Sequence, residues 1–357
     1  MFEEKINYSF KTNQIILKKI AFIDSFKGTW KIKEKSNNKY LKELKKVATI
    51  QSIGSSTRIE GSMLTDEEIK KLLKDIKITK FENRDEQEVI GYYQALEIIL
   101  DNYANIELSE NYIKQLHSIL LKESSKDQRH KGNYKNTPNK VIESFPNGTQ
   151  KIIFNTTETH LVQKEMSEII DWVNKTLLEK EIHPIIIISL FIYEFLSIHP
   201  FQDGNGRLSR LLTTLLLLKE EYTFIQYVSF ENIVEKYKKD YYEAIMEGQS
   251  KRYTKEEKID KWQIFFLNSL EILINRLEEK YTFYSKKGGY LNERQKEIKS
   301  FIEKNEPVKI SDLVLNLKDY PLNTIKKDLQ FLQSENFIEK IGENKGSFYI
   351  MLKYDKF

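Results

Sequence analysis

The chain has 357 residues, 40% hydrophobic and 31% charged, with a formal net charge of +4 and no cysteine. That length allows more than one domain, and so small a net charge gives no electrostatic reason to expect a nucleic-acid or membrane partner. A disulfide framework, a cysteine zinc site and a thiol nucleophile are excluded outright. Residues 1–36 carry little periodic signal. The first twenty mix Glu, Lys and Asn among their apolar residues and lack the apolar core of a signal peptide, so a cytoplasmic protein is expected. From Leu41, the spacing of Leu44, Val47 and Ala48 predicts a helix running toward Ser56. It leads into Ser56-Thr57-Arg58-Ile59-Glu60-Gly61, where Ser and Glu at i, i+4 before a glycine read as an ordinary helix C-terminus.

Thr65-Asp66-Glu67-Glu68 ahead of Ile69, Leu72 and Leu73 is a capping box opening the next helix. Residues 89–100 and 113–121 predict further helices, the second with Ser109 as its N-cap. Residues 132–154 break that rhythm with Pro138, Pro146 and Asn147-Gly148. Val141-Ile142 before the Asn-Gly pair and Ile152-Ile153-Phe154 after it make a hairpin signal, with a surface loop the equal alternative on sequence alone. Helices resume over 161–178. Residues 184–198 are apolar almost all round, as in a buried helix. Residues 182–190 are apolar but far short of a membrane span.

His199 to Arg210 then reads His-Pro-Phe-Gln-Asp-Gly-Asn-Gly-Arg-Leu-Ser-Arg. Leu208, Leu211, Leu212, Leu215 and Leu216 follow helical spacing, so Gly204-Asn205-Gly206 falls at a helix N-terminus. Unpaired N–H groups and the helix dipole favour an anion there, and glycines allow close approach. Arg207 and Arg210 stand at i, i+3 and can converge on one ligand as forks suited to phosphate. His199 is the candidate general base for a hydroxyl attacking a phosphate. His117, His130, His160 and His183 lack comparable surroundings and read as structural or surface residues. Asp203 is the candidate ligand of Mg²⁺, which takes one or two carboxylates plus phosphate oxygens; Mn²⁺ would serve likewise. Phe201 reads as an apolar anchor for the loop.

Downstream, residues 237–246 contain Tyr241-Tyr242, and Trp262, Phe265, Phe266, Leu270, Ile274 and Leu277 predict a long helix. Lys286-Lys287-Gly288-Gly289 is the clearest linker. Beyond it, helices are expected over 295–304, 310–317 and 322–334, then strands over 337–341 and 347–351. That order resembles a winged helix. From Leu291 onward twelve Lys and Arg face eleven Asp and Glu, which argues against strong DNA binding; docking of a protein or support of a homodimer is favoured.

The stretch from His199 to Arg210 resembles the signature of the Fic (fido-fold) proteins, His-Pro-Phe-x-(Asp/Glu)-Gly-Asn-Gly-Arg-x-x-Arg, with every defining position filled. The resemblance implies a mainly α fold, a Fic helical core with a small β-hairpin flap at about 132–154 that holds a target protein by strand addition. It implies transfer of AMP from ATP to a Ser, Thr or Tyr hydroxyl of that target. A subgroup with Lys in place of the second glycine phosphorylates instead; Gly206 favours the adenylyl-transferring majority. ATP-binding residues are then Gly204, Asn205, Gly206, Arg207, Leu208, Ser209 and Arg210, with Tyr242 near the adenine and Tyr241 ranked behind it. Beside that signature, Ser56, Glu60 and Gly61 resemble the family's inhibitory motif, (Ser/Thr)-x-x-x-Glu-(Gly/Asn), placed N-terminally. Its Glu pairs with the second arginine, Arg210 here, and competes with the γ-phosphate. The expected organisation is an N-terminal helical region over 1–106, a catalytic domain over 107–248, a connecting helix and linker over 249–289, and a winged helix over 290–357. Two alternatives stand beside the adenylyltransferase: a de-AMPylase in which Glu60 acts on water, and a winged-helix DNA-binding regulator with the Fic core as sensor.

Overall fold

The computed structural model describes residues 2–35, 39–74, 81, 83–144, 150–287, 291–335, 337–342 and 347–352. The chain divides into two compact units, Met1–Glu278 and Glu279–Phe357. Helices dominate the first: α1 (Phe2–Lys5), α2 (Phe10–Lys35), α3 (Lys39–Ile59), α4 (Asp66–Lys74), α5 (Arg84–Asn102) and α6 (Glu110–Leu120). A hairpin of β1 (Lys140–Ser144) and β2 (Gln150–Asn155) interrupts them. Then come α7 (Val162–Glu179), α8 (Pro184–Ile198), α9 (Asn205–Lys219), α10 (Phe230–Lys236), α11 (Lys238–Gln249) and α12 (Asp260–Lys287). No described helix is long and apolar enough to cross a membrane.

The long α2 is the main departure from the sequence reading, which drew little from residues 1–36. Its buried side is a clean stripe of Ile16, Ile20, Ile23, Phe26 and Trp30. Phe10, Leu17 and Ile32 lie exposed on other sides, and these blur the period. Caps fall where the sequence put them. Ser109 Oγ accepts from Tyr112 N–H at 3.2 Å, and Thr65 and Glu68 exchange the reciprocal bonds of a capping box.

The site rests on α8 and α9. Ile185 and every residue from Ile187 to Ile198 are buried, so α8 is enclosed on all sides, packed between α7 and α9. In α9, Leu208, Leu211, Leu212 and Leu215 to Leu218 are buried. Two such helices form a rigid holder for the loop between them.

The segment expected as hairpin or loop is a hairpin. Its antiparallel register pairs Lys140 with Asn155, Val141 with Phe154 and Ile142 with Ile152. The shift after Val141 is a bulge that leaves Ile153 unpaired. The Asn147-Gly148 turn lies outside the described residues.

The boundary between units falls within α12, which runs to Lys287. Lys286 and Lys287, read as linker, are therefore helical, and Gly288 and Gly289 lie outside the described residues. The second unit holds α13 (Glu293–Asn305), α14 (Ile310–Asn316) and α15 (Leu322–Ser334), then an antiparallel pair β3 (Ile338–Ile341) and β4 (Phe348–Met351). Its own core gathers Ile298, Ile302, Leu313, Ile325, Leu329, Leu332 and Ile338.

Candidate active site

At the C-terminus of α8 the backbone of His199 turns left-handed, with φ 52°. Its N–H still closes the last turn on Phe195 O at 2.9 Å, and Pro200 prevents continuation. A non-glycine residue in that region costs about 1–2 kcal/mol, so the packed loop must impose it. His199 Nδ1 lies 3.3 Å from Leu196 O. A carbonyl only accepts, so Nδ1 carries the proton and Nε2 keeps its lone pair. Burial first, and then the charge of Lys135, push the imidazole down to about 4, against weaker opposing pulls from Glu60 and Asp203. Near neutral pH the ring is therefore a free base.

The loop after His199 is fastened from below. Phe201 is buried, and its N–H and C=O are both bonded by the Asn205 amide, at 2.9 and 2.7 Å. Asn139 Nδ2 donates to the same carbonyl at 2.8 Å. His117 stacks on the Phe201 ring at 3.8 Å and 14°. Its Nδ1 accepts from Gly132 N–H at 2.9 Å, so Nε2–H donates to Asp203 O, also at 2.9 Å. Gly204 then takes φ 80° as the N-cap of α9. An added Cβ there would be strained by that φ and would touch His117 Nε2 at 3.4 Å.

Having no side chain, Gly204 caps nothing, and the first bond within α9 is made by Leu208 N–H to Gly204 O at 2.9 Å. The N–H groups of Asn205, Gly206 and Arg207 therefore face the helix start without intrahelical partners. A carboxylate already lies there. Glu60 Oε1 sits so close to Gly206 that a Cβ would be 2.3 Å from it, and it accepts from Arg210 Nη2 at 2.8 Å. Arg210 also bonds Ser56 Oγ at 2.8 Å and Ser56 O at 2.9 Å. Burial would raise the Glu60 carboxyl, but the charges of Arg210 and Arg207 outweigh it and hold the group ionised.

Glu60 is presented by a well-formed helix end. Ser62 N–H bonds Thr57 O at 3.0 Å, Gly61 N–H bonds Arg58 O at 3.1 Å, and Gly61 takes φ 106°. This is the Schellman pattern, with Glu60 as the last half-helical residue. Arg58 fastens that end to α10 through Glu235, at 2.7 Å, and to Asp66, at 2.9 Å.

One cavity of about 170 Å³ gathers Glu60, His199, Asp203, Gly204, Asn205, Gly206, Arg210, Tyr241 and Tyr242 beside Val141 and Phe154 of the hairpin. Tyr241, ranked behind Tyr242, lines it equally; it is buried edge-on against Trp262 and Phe265, and Tyr242 is half-buried. Asp203 is ionised: burial pushes its carboxyl up, but Arg207 and Lys126 draw it well below the usual range. Lys126 Nζ lies 2.9 Å from Oδ2.

Arg207, Leu208 and Ser209 are not on the cavity wall. Arg207 is enclosed between Glu88, at 3.4 Å, and Asp203, at 3.3 Å. Leu208 points into the core and spends its N–H within the helix. Ser209 Oγ bonds Gly206 O at 2.8 Å. His117, read as a structural or surface residue, is structural and buried beneath the loop, while sequence reasoning missed the other supports, Asn139 and Lys135. All three come from segments sixty or more residues away in sequence, and Asn139 and Lys135 lie in a polar stretch, residues 135–140, where nothing local sets them apart.

The Fic/DOC family profile matches residues 107–217. Two curated relatives are both named Protein adenylyltransferase Fic. That of Drosophila willistoni is 28% identical over 187 residues, covering 52% of this chain and 35% of its own length. That of Nematostella vectensis is 28% identical, covering 50% of this chain and 40% of its own. The chain thus matches less than half the length of either. A solved Fic family protein from Desulfovibrio desulfuricans G20 shares the fold, with a TM-score of 0.63 and 21% identity over 96% of this chain and 97% of that one.

Proposed function

We propose that this chain, which carries a Fic/DOC domain, is an autoinhibited protein adenylyltransferase. It transfers AMP from ATP to a Ser, Thr or Tyr hydroxyl of a target protein, and to itself, with release of pyrophosphate. The observation that carries this reading is the Glu60 carboxylate lying on Gly206 and Arg210 at the open start of α9, in one cavity with His199. A site that already holds an anion on a buried guanidinium, beside a helix start whose first N–H groups have no intrahelical partner, suits a phosphate.

In the reaction, a target hydroxyl oxygen forms a bond to the α-phosphorus as His199 Nε2 takes its proton. The bond from that phosphorus to the bridging oxygen breaks, and pyrophosphate leaves with the electron pair. Arg210 and the N–H groups of α9 neutralise the charge that grows on it. Arg207 acts from behind, holding Asp203 and adding positive potential to the site. Asp203 has the chemistry of a magnesium ligand: an ionised carboxylate whose outer oxygen faces one half-exposed, exchangeable cation, Lys126. Bound there, Mg²⁺ or Mn²⁺ would polarise the phosphate oxygens. The hairpin suits a target strand, since each strand of a two-stranded sheet has one unpaired edge.

Glu60 in its present position takes the Arg210 fork that a γ-phosphate needs. ATP would then sit with its phosphates displaced, and misplacement by about 1 Å can cost on the order of a hundredfold in rate. With labelled ATP and Mg²⁺, Glu60→Gly should incorporate AMP into itself on the order of a hundredfold faster than wild type. Equal slow labelling by both would remove the inhibitory role. A Glu60→Gly protein that binds no nucleotide would remove the enzyme reading.

One observation favours the reverse reaction as a second reading: Glu60 is ionised and shares the cavity with His199, so it could orient water toward an AMP-modified hydroxyl. AMP released from a modified target by wild type but not by Glu60→Gly would establish it.

A further inference from the structure

One buried ammonium ties the foot of the hairpin to the loop that bears His199. Lys135 is 4% exposed. Its Nζ donates to Asn139 Oδ1 at 2.8 Å, Thr156 Oγ1 at 2.7 Å and Ile198 O at 3.1 Å, which uses all three of its donors. Its backbone N–H bonds Pro200 O at 2.8 Å. Asn139 directly precedes β1 and Thr156 directly follows β2, so the ammonium sits between the two feet of the hairpin.

All three of these partners are neutral, whereas a buried lysine is ordinarily paired with an acid. Glu158 and Glu165 act on it only at a distance, and burial pushes it down to about 8. What the cation does make is a bond to the carbonyl just before His199, at the C-terminus of α8, where the helix dipole favours positive charge. The charged groups that act on the His199 ring are Lys135, Glu60 from the end of α3 and Asp203 from the loop.

We propose that Lys135 is a positioning residue for His199: gripping the Ile198 carbonyl from the feet of both hairpin strands, it fixes the imidazole in the cavity and couples the hairpin to the general base. This rests on the adenylyltransferase reading for its kinetic consequence, but its structural part stands alone. The ammonium holds the loop in place and disfavours a proton on the ring beside it.

The test uses the full-length chain in the Glu60→Gly background, comparing Lys135→Met and Lys135→Arg. Self-labelling with ATP should show kcat lowered about 10- to 100-fold in Lys135→Met, with the KM for ATP within about threefold of the parent. The acid limb of its pH profile should move up toward the ordinary imidazole value. Lys135→Arg should recover much of kcat and keep the acid limb low. Independently of any activity, NMR titration of the His199 ring should show the same upward movement in Lys135→Met alone. Unchanged kcat and an unchanged ring titration in Lys135→Met would overturn the proposal. Should that variant fail to fold, Thr156→Val, which removes one partner of the ammonium, should lower kcat in the same direction by less; no change there would equally overturn it. A Glu60→Gly parent that transfers nothing would fault the functional reading, and the ring titration would still judge Lys135.

Discussion

His199 combines a strained backbone with a ring kept neutral. The left-handed turn at φ 52° aims the side chain out of α8 into the cavity, and the Leu196 carbonyl selects the tautomer that leaves Nε2 free. His199→Ala should reduce AMP transfer by about 10²–10⁴-fold while ATP affinity, read by direct titration, stays close to the parent's. Loss of nucleotide binding would instead make His199 a structural residue. The ring is pushed down to about 4, so its base form persists well below neutrality. Transfer by Glu60→Gly should stay level from about pH 7.5 through the ordinary imidazole value of about 6.5 and fall only as the pH approaches 4. An inflection near 6.5 would contradict the burial of the ring. The sign carries over to stability: between those two values the unfolded chain binds a proton that the fold refuses, so this group's contribution is lost as pH falls through the interval.

Among the elements, the end of α3 carries the regulatory argument. Glu60 reaches α9 because Gly61 closes the helix with φ 106°, in a region closed to side chains. Gly61→Val should destabilise the fold by about 1–2 kcal/mol, lowering Tm by a few degrees, and should raise wild-type self-labelling part of the way to the Glu60→Gly level. A lower Tm with labelling unchanged would mean that Arg58 and its acidic partners hold Glu60 without help from the helix end. The sequence reading of α3 as an ordinary helix terminus was correct as local structure. Its partner, Arg210, lies 150 residues further on, so no local pattern points to it and only the family resemblance implies the pairing. The stripe of α2 was harder to see, because exposed Phe10, Leu17 and Ile32 interrupt the pattern that burial makes plain.

For the whole molecule, every residue assigned to the cavity precedes Glu278, within the first compact unit. A chain ending at Lys287 and carrying Glu60→Gly should therefore keep its nucleotide affinity and self-labelling rate within about threefold of the full-length protein. A large loss would show that the second unit supports catalysis. The sequence by itself determined what depends on neighbours along the chain: the all-round apolar run of α8, the helical period of α9, the caps, the hairpin signal, and the twelve-residue stretch whose residue types suit an anion. Tertiary structure alone decided what depends on distant segments meeting. It brought Glu60 onto Gly206 and set Lys135, Asn139 and His117 beneath the loop. It also turned Arg207 inward to Glu88 and left Arg210 to face the cavity. Spacing of i, i+3 puts two arginines on one side of a turn, but burial against other helices, which no local pattern encodes, chooses which of them a ligand can reach.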